Sequence, residues 1–163
     1  MSPRAACRLE QLGFPEVYDY TAGKADWLAH GLETEGEQAG VLRARHAVRA
    51  DVVTASIEEP VGEVRARVAA SPYGFALVVA ADGTVVGRLR AAALAGDPDR
   101  RAEQVMEAGP STVRPDRSLQ ELVTVMRDKN LTVMLVTTPE GRLLGVLPRD
   151  LAEHTLNADG RTR

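Results

Sequence analysis

Displaced by 58 positions, the middle of this chain superimposes on its end without a gap. Val61 falls on Leu119 (119 − 61 = 58), Val64 on Leu122, Val68 on Met126 and Leu77-Val78 on Leu135-Val136. Thr54 meets Thr112, Asp82-Gly83 meets Glu140-Gly141, and Val85-Val86-Gly87 meets Leu143-Leu144-Gly145. Apolar positions match apolar ones and both turn glycines coincide, which marks a duplicated structural unit. The second copy is the easier to read. Ser118 with Glu121 three residues later predicts a capping box, and Leu119, Leu122, Val123 and Met126 recur at helical spacing behind it. Val133-Met134-Leu135-Val136 reads as a buried strand, Pro139-Glu140-Gly141 as a turn, and residues 143–147 as the hairpin partner ahead of a closing helix. Each copy therefore predicts strand, helix, strand, turn, strand, helix: an α/β fold.

One copy alone would leave too much apolar strand in water, since residues 75–79 and 133–136 need cover on both faces. The copies are expected to pack together with approximate twofold symmetry. Asp97-Pro98-Asp99 and a short helix over 101–106 would carry the chain between them. The resulting division is an appendage and linker over 1–40, copies over 41–97 and 98–157, and a flexible polar tail over 158–163.

The 163 residues carry a net charge of −3, which provides no global attraction for nucleic acid or anionic lipid. Arg43, Arg45, His46 and Arg49 form a local basic run, read as a solvated helix face or linker in preference to a phosphate site. One Trp, three Tyr and two Phe are too few for a base-stacking platform. No apolar run approaches the ~20 residues that span a bilayer, and no signal peptide is read, so a cytoplasmic location is the default expectation. The single Cys7 excludes an intrachain disulfide and a cysteine metal cluster.

Near the N-terminus, Ser2-Pro3 predicts a helix start, with the helix running to Leu12 and Gly13 as a left-handed cap. Val17-Tyr18-Asp19-Tyr20 has strand propensity, and a helix over 24–30 would end at Gly31. This helix–strand–helix appendage is too small to make its own core and needs a partner surface. Residues 33–40 suit a linker, and 41–48 a helix entering the first copy. The runs Arg4-Ala5-Ala6, Gly13-Phe14-Pro15-Glu16-Val17-Tyr18 and Trp27-Leu28-Ala29-His30-Gly31-Leu32 resemble the last third of a rhodanese domain. That family's Cys loop would lie before Met1. Cys7 falls inside a predicted helix, as a small, partly buried residue, and Trp27 is read as a core or staple residue.

The repeated segment resembles a pair of CBS domains, the β-α-β-β-α modules first named from cystathionine β-synthase. The second copy carries the closer match, in Val105-Met106-Glu107, Pro110-Ser111-Thr112-Val113-Arg114-Pro115-Asp116, and Leu143-Leu144-Gly145-Val146-Leu147 to Asp150-Leu151. The resemblance implies tandem CBS domains with pseudo-twofold symmetry and an inter-repeat cleft for an adenosine compound such as AMP, ATP or S-adenosylmethionine. It also implies a homodimer formed through the helices, for which the apolar spread of Leu122, Val123, Val125 and Met126 would suit.

In that family a Gly-apolar-apolar-Thr/Ser-x-x-Asp segment grips the ribose and phosphate. The first copy reads Gly87-Arg88-Leu89-Arg90-Ala91-Ala92-Ala93 and has neither hydroxyl nor carboxylate. The second reads Gly145-Val146-Leu147-Pro148-Arg149-Asp150, with Pro148 at the hydroxyl position and Asp150 one residue early. By this resemblance the candidate binding residues are Thr54 and Thr112 beside an adenine, Arg149 for a phosphate and Asp150 for a ribose. Arg88 and Arg90 could favour a different anion or be solvated. The expected function is a non-catalytic regulatory, ligand-sensing module, with no metal and no catalytic residue, since His30, His46 and His154 are scattered. The alternatives are a rhodanese–CBS sulfurtransferase with its Cys loop upstream, and a purely structural dimerisation module.

Overall fold

The structure, a computed structural model, describes residues 3–36 and 40–160. The chain divides into two compact units, Met1–Gly40 and Val41–Arg163.

In the first unit, α1 (Pro3–Gln11) and α2 (Gly23–Ala29) both end in a left-handed glycine. Gly13 N–H donates to the Glu10 carbonyl and Phe14 N–H to that of Leu9; Gly31 and Leu32 repeat this pattern onto Leu28 and Trp27. The bonds satisfy carbonyls that a helix end leaves free. The expected strand over 17–20 does not form, because the described residues of this unit offer no second strand to pair with it. The appendage is therefore helix–helix. Trp27 is not a core residue: it is 37% exposed and meets Tyr20 edge-on. Cys7 is exposed on α1. The expected Ser2 cap lies outside the described residues.

The second unit realises the repeat. The first copy contains β1 (Val53–Ser56), α3 (Val61–Ala69), β2 (Ala76–Val79), β3 (Val85–Leu89) and α4 (Ala91–Leu94). After α5 (Ala102–Val105) and β4 (Glu107–Ala108), the second copy follows. It contains β5 (Thr112–Val113), α6 (Leu119–Asp128), β6 (Val133–Thr137), β7 (Leu143–Pro148) and α7 (Arg149–Gly160). The sheets are β1-β2-β3-β4 and β5-β6-β7, with the first two strands of each copy parallel and the hairpin antiparallel. The α3 and α6 helices are the crossovers that a parallel pair requires. α7 runs to Gly160, into the segment expected as a tail. The capping box at Ser118 forms by half. Ser118 Oγ accepts from the Glu121 amide at 3.5 Å, while the Glu121 carboxylate takes Arg117 at 3.2 Å.

The duplication extends to register. Val78 pairs with Gly87 and Val136 with Gly145, and the ladder slips at Val78/Val79 and again at Val136/Thr137. One pair of bonds maps onto itself: Val85 N–H donates to the Gly141 carbonyl and Leu143 N–H to that of Gly83, both at 3.0 Å. These four residues mark the pseudo-twofold axis.

The lead-in segments are exchanged between copies. The segment ahead of the first copy packs on the second: its 3-10 turn, Ala44–Ala47, buries Ala44 and Ala47 among Leu119, Leu122, Val123 and Met126. Arg49 then exchanges two 2.8 Å backbone bonds with Val146 of β7. Correspondingly, α5 and β4 ahead of the second copy pack on the first, where Ala102 joins Val61, Val64 and Leu89, and Glu107 pairs with Arg88 of β3. A third cluster, centred on Val52, Leu77, Leu135 and Val146, joins the copies face to face. The run Arg43-Arg45-His46-Arg49 is thus a structural joint on a 3-10 turn and not a helix face, although His46 and Arg49 keep their solvent exposure. Arg43 is buried and donates to the Asp116 carbonyl at 2.8 Å, and its amide donates to His46 Nδ1 at 2.9 Å.

Two outcomes follow from this joint. A Cβ on Gly145, whose φ is +144°, would lie 2.2 Å from the Arg49 carbonyl oxygen, whereas one on Gly87 would meet the flexible Met106 Sδ. In urea denaturation, Gly145→Ala should cost more than about 3 kcal/mol and Gly87→Ala about 1 kcal/mol. The second outcome concerns pH. The native His46 pKa is lowered by desolvation and by the Arg45 cation. The unfolded chain therefore takes up this proton first, and the stability contributed is present above about pH 6.5 and lost as pH falls below it. The equivalent cap in the other copy is Gln104 Oε1, accepting from the Arg101 amide at 3.2 Å. His46→Gln should therefore keep the cap and flatten the thermal stability profile between pH 7 and 5.

Candidate functional site

The four candidate residues do not converge. Thr54, half-buried on β1, lines a cavity of about 530 Å³ with Glu58, Glu59 and Arg67. Thr112 opens on another cavity of about 470 Å³, and its Oγ1 accepts at 3.0 Å from the buried Thr137 hydroxyl. Asp150, in the first turn of α7, lines a third of about 530 Å³. Arg149 is not among the residues lining these three.

Two of the cavities lie between the copies and share two corresponding lining positions, Arg90 with Pro148 and Leu131 with Tyr73. The cleft holding Thr112 takes Phe75, Arg88 and Arg90 from the first copy, and Ser111, Lys129, Leu131 and Val133 from the second. Arg88 and Arg90 sit at the end of β3, which the exchanged β4 holds beside Glu107. Arg88 reaches the Glu107 carboxylate at 3.2 Å and Arg90 at 2.8 Å. Arg88 Nε is shielded from solvent without a hydrogen-bond partner. Lys129 caps the end of α6 and is exposed. Three cations thus line the cleft opposite an apolar wall. That arrangement suits a ligand with an anionic end and a flat apolar body.

The cleft holding Asp150 takes Arg49, Asp51 and Tyr73 from one side, and Pro148, Asp150 and His154 from the other. Asp51 accepts from Arg49 and from the Tyr73 hydroxyl, each at 2.8 Å. The Tyr73 hydrogen bond, then that of Arg49, holds the Asp51 carboxyl below its usual range, while burial and Asp51 raise the Tyr73 phenol. Asp150, the second residue of α7, accepts at 2.8 Å from the Leu151 amide, so that donor is engaged.

Lys129 was missed by sequence reasoning, although Ser71 at the corresponding place in the first copy was a readable contrast. Leu122, Val123 and Met126 do not form a surface for a second subunit, because they are buried in the copy's own core. Among the described residues, no helix is long and apolar enough to cross a membrane.

Residues 102–151 match the family model of the CBS domain. Solved structures extend the likeness to both copies. The cytosolic domain of the Mg²⁺ channel MgtE in complex with ATP aligns at TM-score 0.61 and 25% identity, covering 72% of this chain and 51% of that one. This chain thus spans about half of that structure. The CBS domain pair of protein MJ0100 in complex with 5′-methylthioadenosine and S-adenosyl-L-methionine aligns at TM-score 0.58 and 14% identity, covering 72% and 98%. CBSX2 in complex with AMP aligns at TM-score 0.61 and 13% identity, covering 71% and 96%. A search of curated proteins found no match. The fold is that of tandem CBS domains, and neither the family match nor these structures supports the rhodanese resemblance of the first unit.

Proposed function

We propose that this tandem CBS pair is a non-catalytic regulatory module that senses a phosphate-bearing adenosine ligand between its copies. The observation that carries the reading is the cleft in which Arg88, Arg90 and Lys129 face Phe75, Leu131 and Val133. Phosphates pair with the cations, Arg offering a planar fork of donors, and the base lies along the apolar wall. The ATP, AMP and S-adenosyl-L-methionine complexes of the similar structures supply the ligand class.

The lining residues include no carboxylate. The ribose diol therefore lacks the clamp that the family resemblance implies, and affinity must come from charge. Because both copies wall the cleft, a ligand there would brace one copy against the other and transmit occupancy to an attached or partner protein.

Calorimetric titration of the whole chain tests this. ATP should bind more tightly than AMP, and adenosine should give no measurable heat. Arg90→Ala removes a charge-assisted contact worth about 1.5–3 kcal/mol, so it should weaken ATP binding roughly 10- to 150-fold. Equal affinity for adenosine and ATP would contradict the charge-led reading. No heat with any adenosine compound would end it.

A further inference from the structure

The two inter-copy clefts share two corresponding lining positions, Arg90 with Pro148 and Leu131 with Tyr73, and differ in charge. Arg90 corresponds to Pro148 and Lys129 to Ser71; conversely, Asp51 corresponds to Gly109 and Asp150 to Ala92. One cleft is lined by three cations and no carboxylate, the other by two carboxylates and one arginine. The hairpin register is shared between the copies, and the cleft strands lead into helices of different length, α4 of four residues and α7 of twelve.

The second cleft also has its donors engaged. Arg49 and the Tyr73 hydroxyl are committed to Asp51, and the Leu151 amide to Asp150, all at 2.8 Å. An entering phosphate would meet two carboxylates, Asp51 holding two donors and Asp150 one. Among the described residues, the carboxylate paired with Arg88 and Arg90 is that of Glu107, on the two-residue β4, with a side chain 56% exposed. Glu107 is not among the lining residues. Its hydration compensates for release from the arginines, so it yields to a phosphate at low cost.

Building on the ligand-sensing reading, we propose that each chain binds one phosphate-bearing ligand, in the cleft of Arg88, Arg90 and Lys129. The other cleft neutralises itself with Asp51 and Asp150 and excludes anions. Glu107 is the internal competitor that the phosphate replaces, and it sets the ligand concentration at which the module responds.

Titration of the full chain with ATP, and separately with inorganic tripolyphosphate, distinguishes this proposal from the reading beneath it. The expected stoichiometry is one per chain for both. The Arg90→Ala/Lys129→Ala variant should abolish binding, whereas Asp51→Asn/Asp150→Asn should leave the first site's affinity unchanged. Glu107→Gln should tighten both anions roughly two- to fivefold. Two ATP molecules per chain, or binding abolished only by the Asp51/Asp150 changes, would overturn the assignment while leaving ligand sensing intact. An unchanged or weakened affinity in Glu107→Gln would overturn the competitor role. Tripolyphosphate binding as tightly as ATP would retain the anion cleft and reject an adenosine ligand. Binding of neither would reject both.

Discussion

Arg49 and Val146 exchange two backbone hydrogen bonds of 2.8 Å, made possible because Gly145 has no side chain to keep the strands apart. That contact ties the segment ahead of the first copy to the last strand of the second. Its counterpart ties Glu107 and Ala108 to the last strand of the first. Neither copy can close its own core: Ala44 and Ala47 complete the core of the second, and Ala102 that of the first. Cutting the chain between copies would remove from each the segment that covers it. The interlock therefore accounts for both the stability of the pair and the fixed geometry of the clefts between its halves.

On this symmetric frame the functional chemistry is asymmetric. Duplication gives two inter-copy clefts flanked by hairpins of the same register, and substitution separates their charges. The exchange also determines where Glu107 stands. Because β4 pairs with β3, the carboxylate is carried to Arg88 and Arg90 instead of remaining within its own copy. The structural joint and the charge balance of the cationic cleft thus share one short strand.

The repeat, its helices and its hairpins were legible because alternation, helical spacing and turn glycines are local signals, and two copies reported them independently. The exchange was not. Periodicity shows that residues 44–47 have an apolar side but does not say which core that side meets. The strand expected over 17–20 failed for a related reason: propensity describes a residue's fit to a ladder, and the described residues of the first unit contain none. At the site, Arg88 and Arg90 were visible as unusual strand-end residues. Lys129 was not, because it enters from beyond the end of α6. Thr54, Thr112 and Asp150, chosen by position in a family pattern, fall in three separate cavities. The pattern gave their places along the chain, while the charges that shape each cleft come from neighbours far away in sequence.

The exchanged joint is the claim on which the rest stands, and native-state amide hydrogen exchange measures it residue by residue. If the copies are interlocked, the amides of Arg49 and Val146 open only with the whole unit, sharing the protection of core strand amides such as Leu77 and Leu135. An Arg49 amide that exchanges orders of magnitude faster, while both copies' core strands stay protected, would show a lead-in that comes away without unfolding either copy. That result would contradict the account.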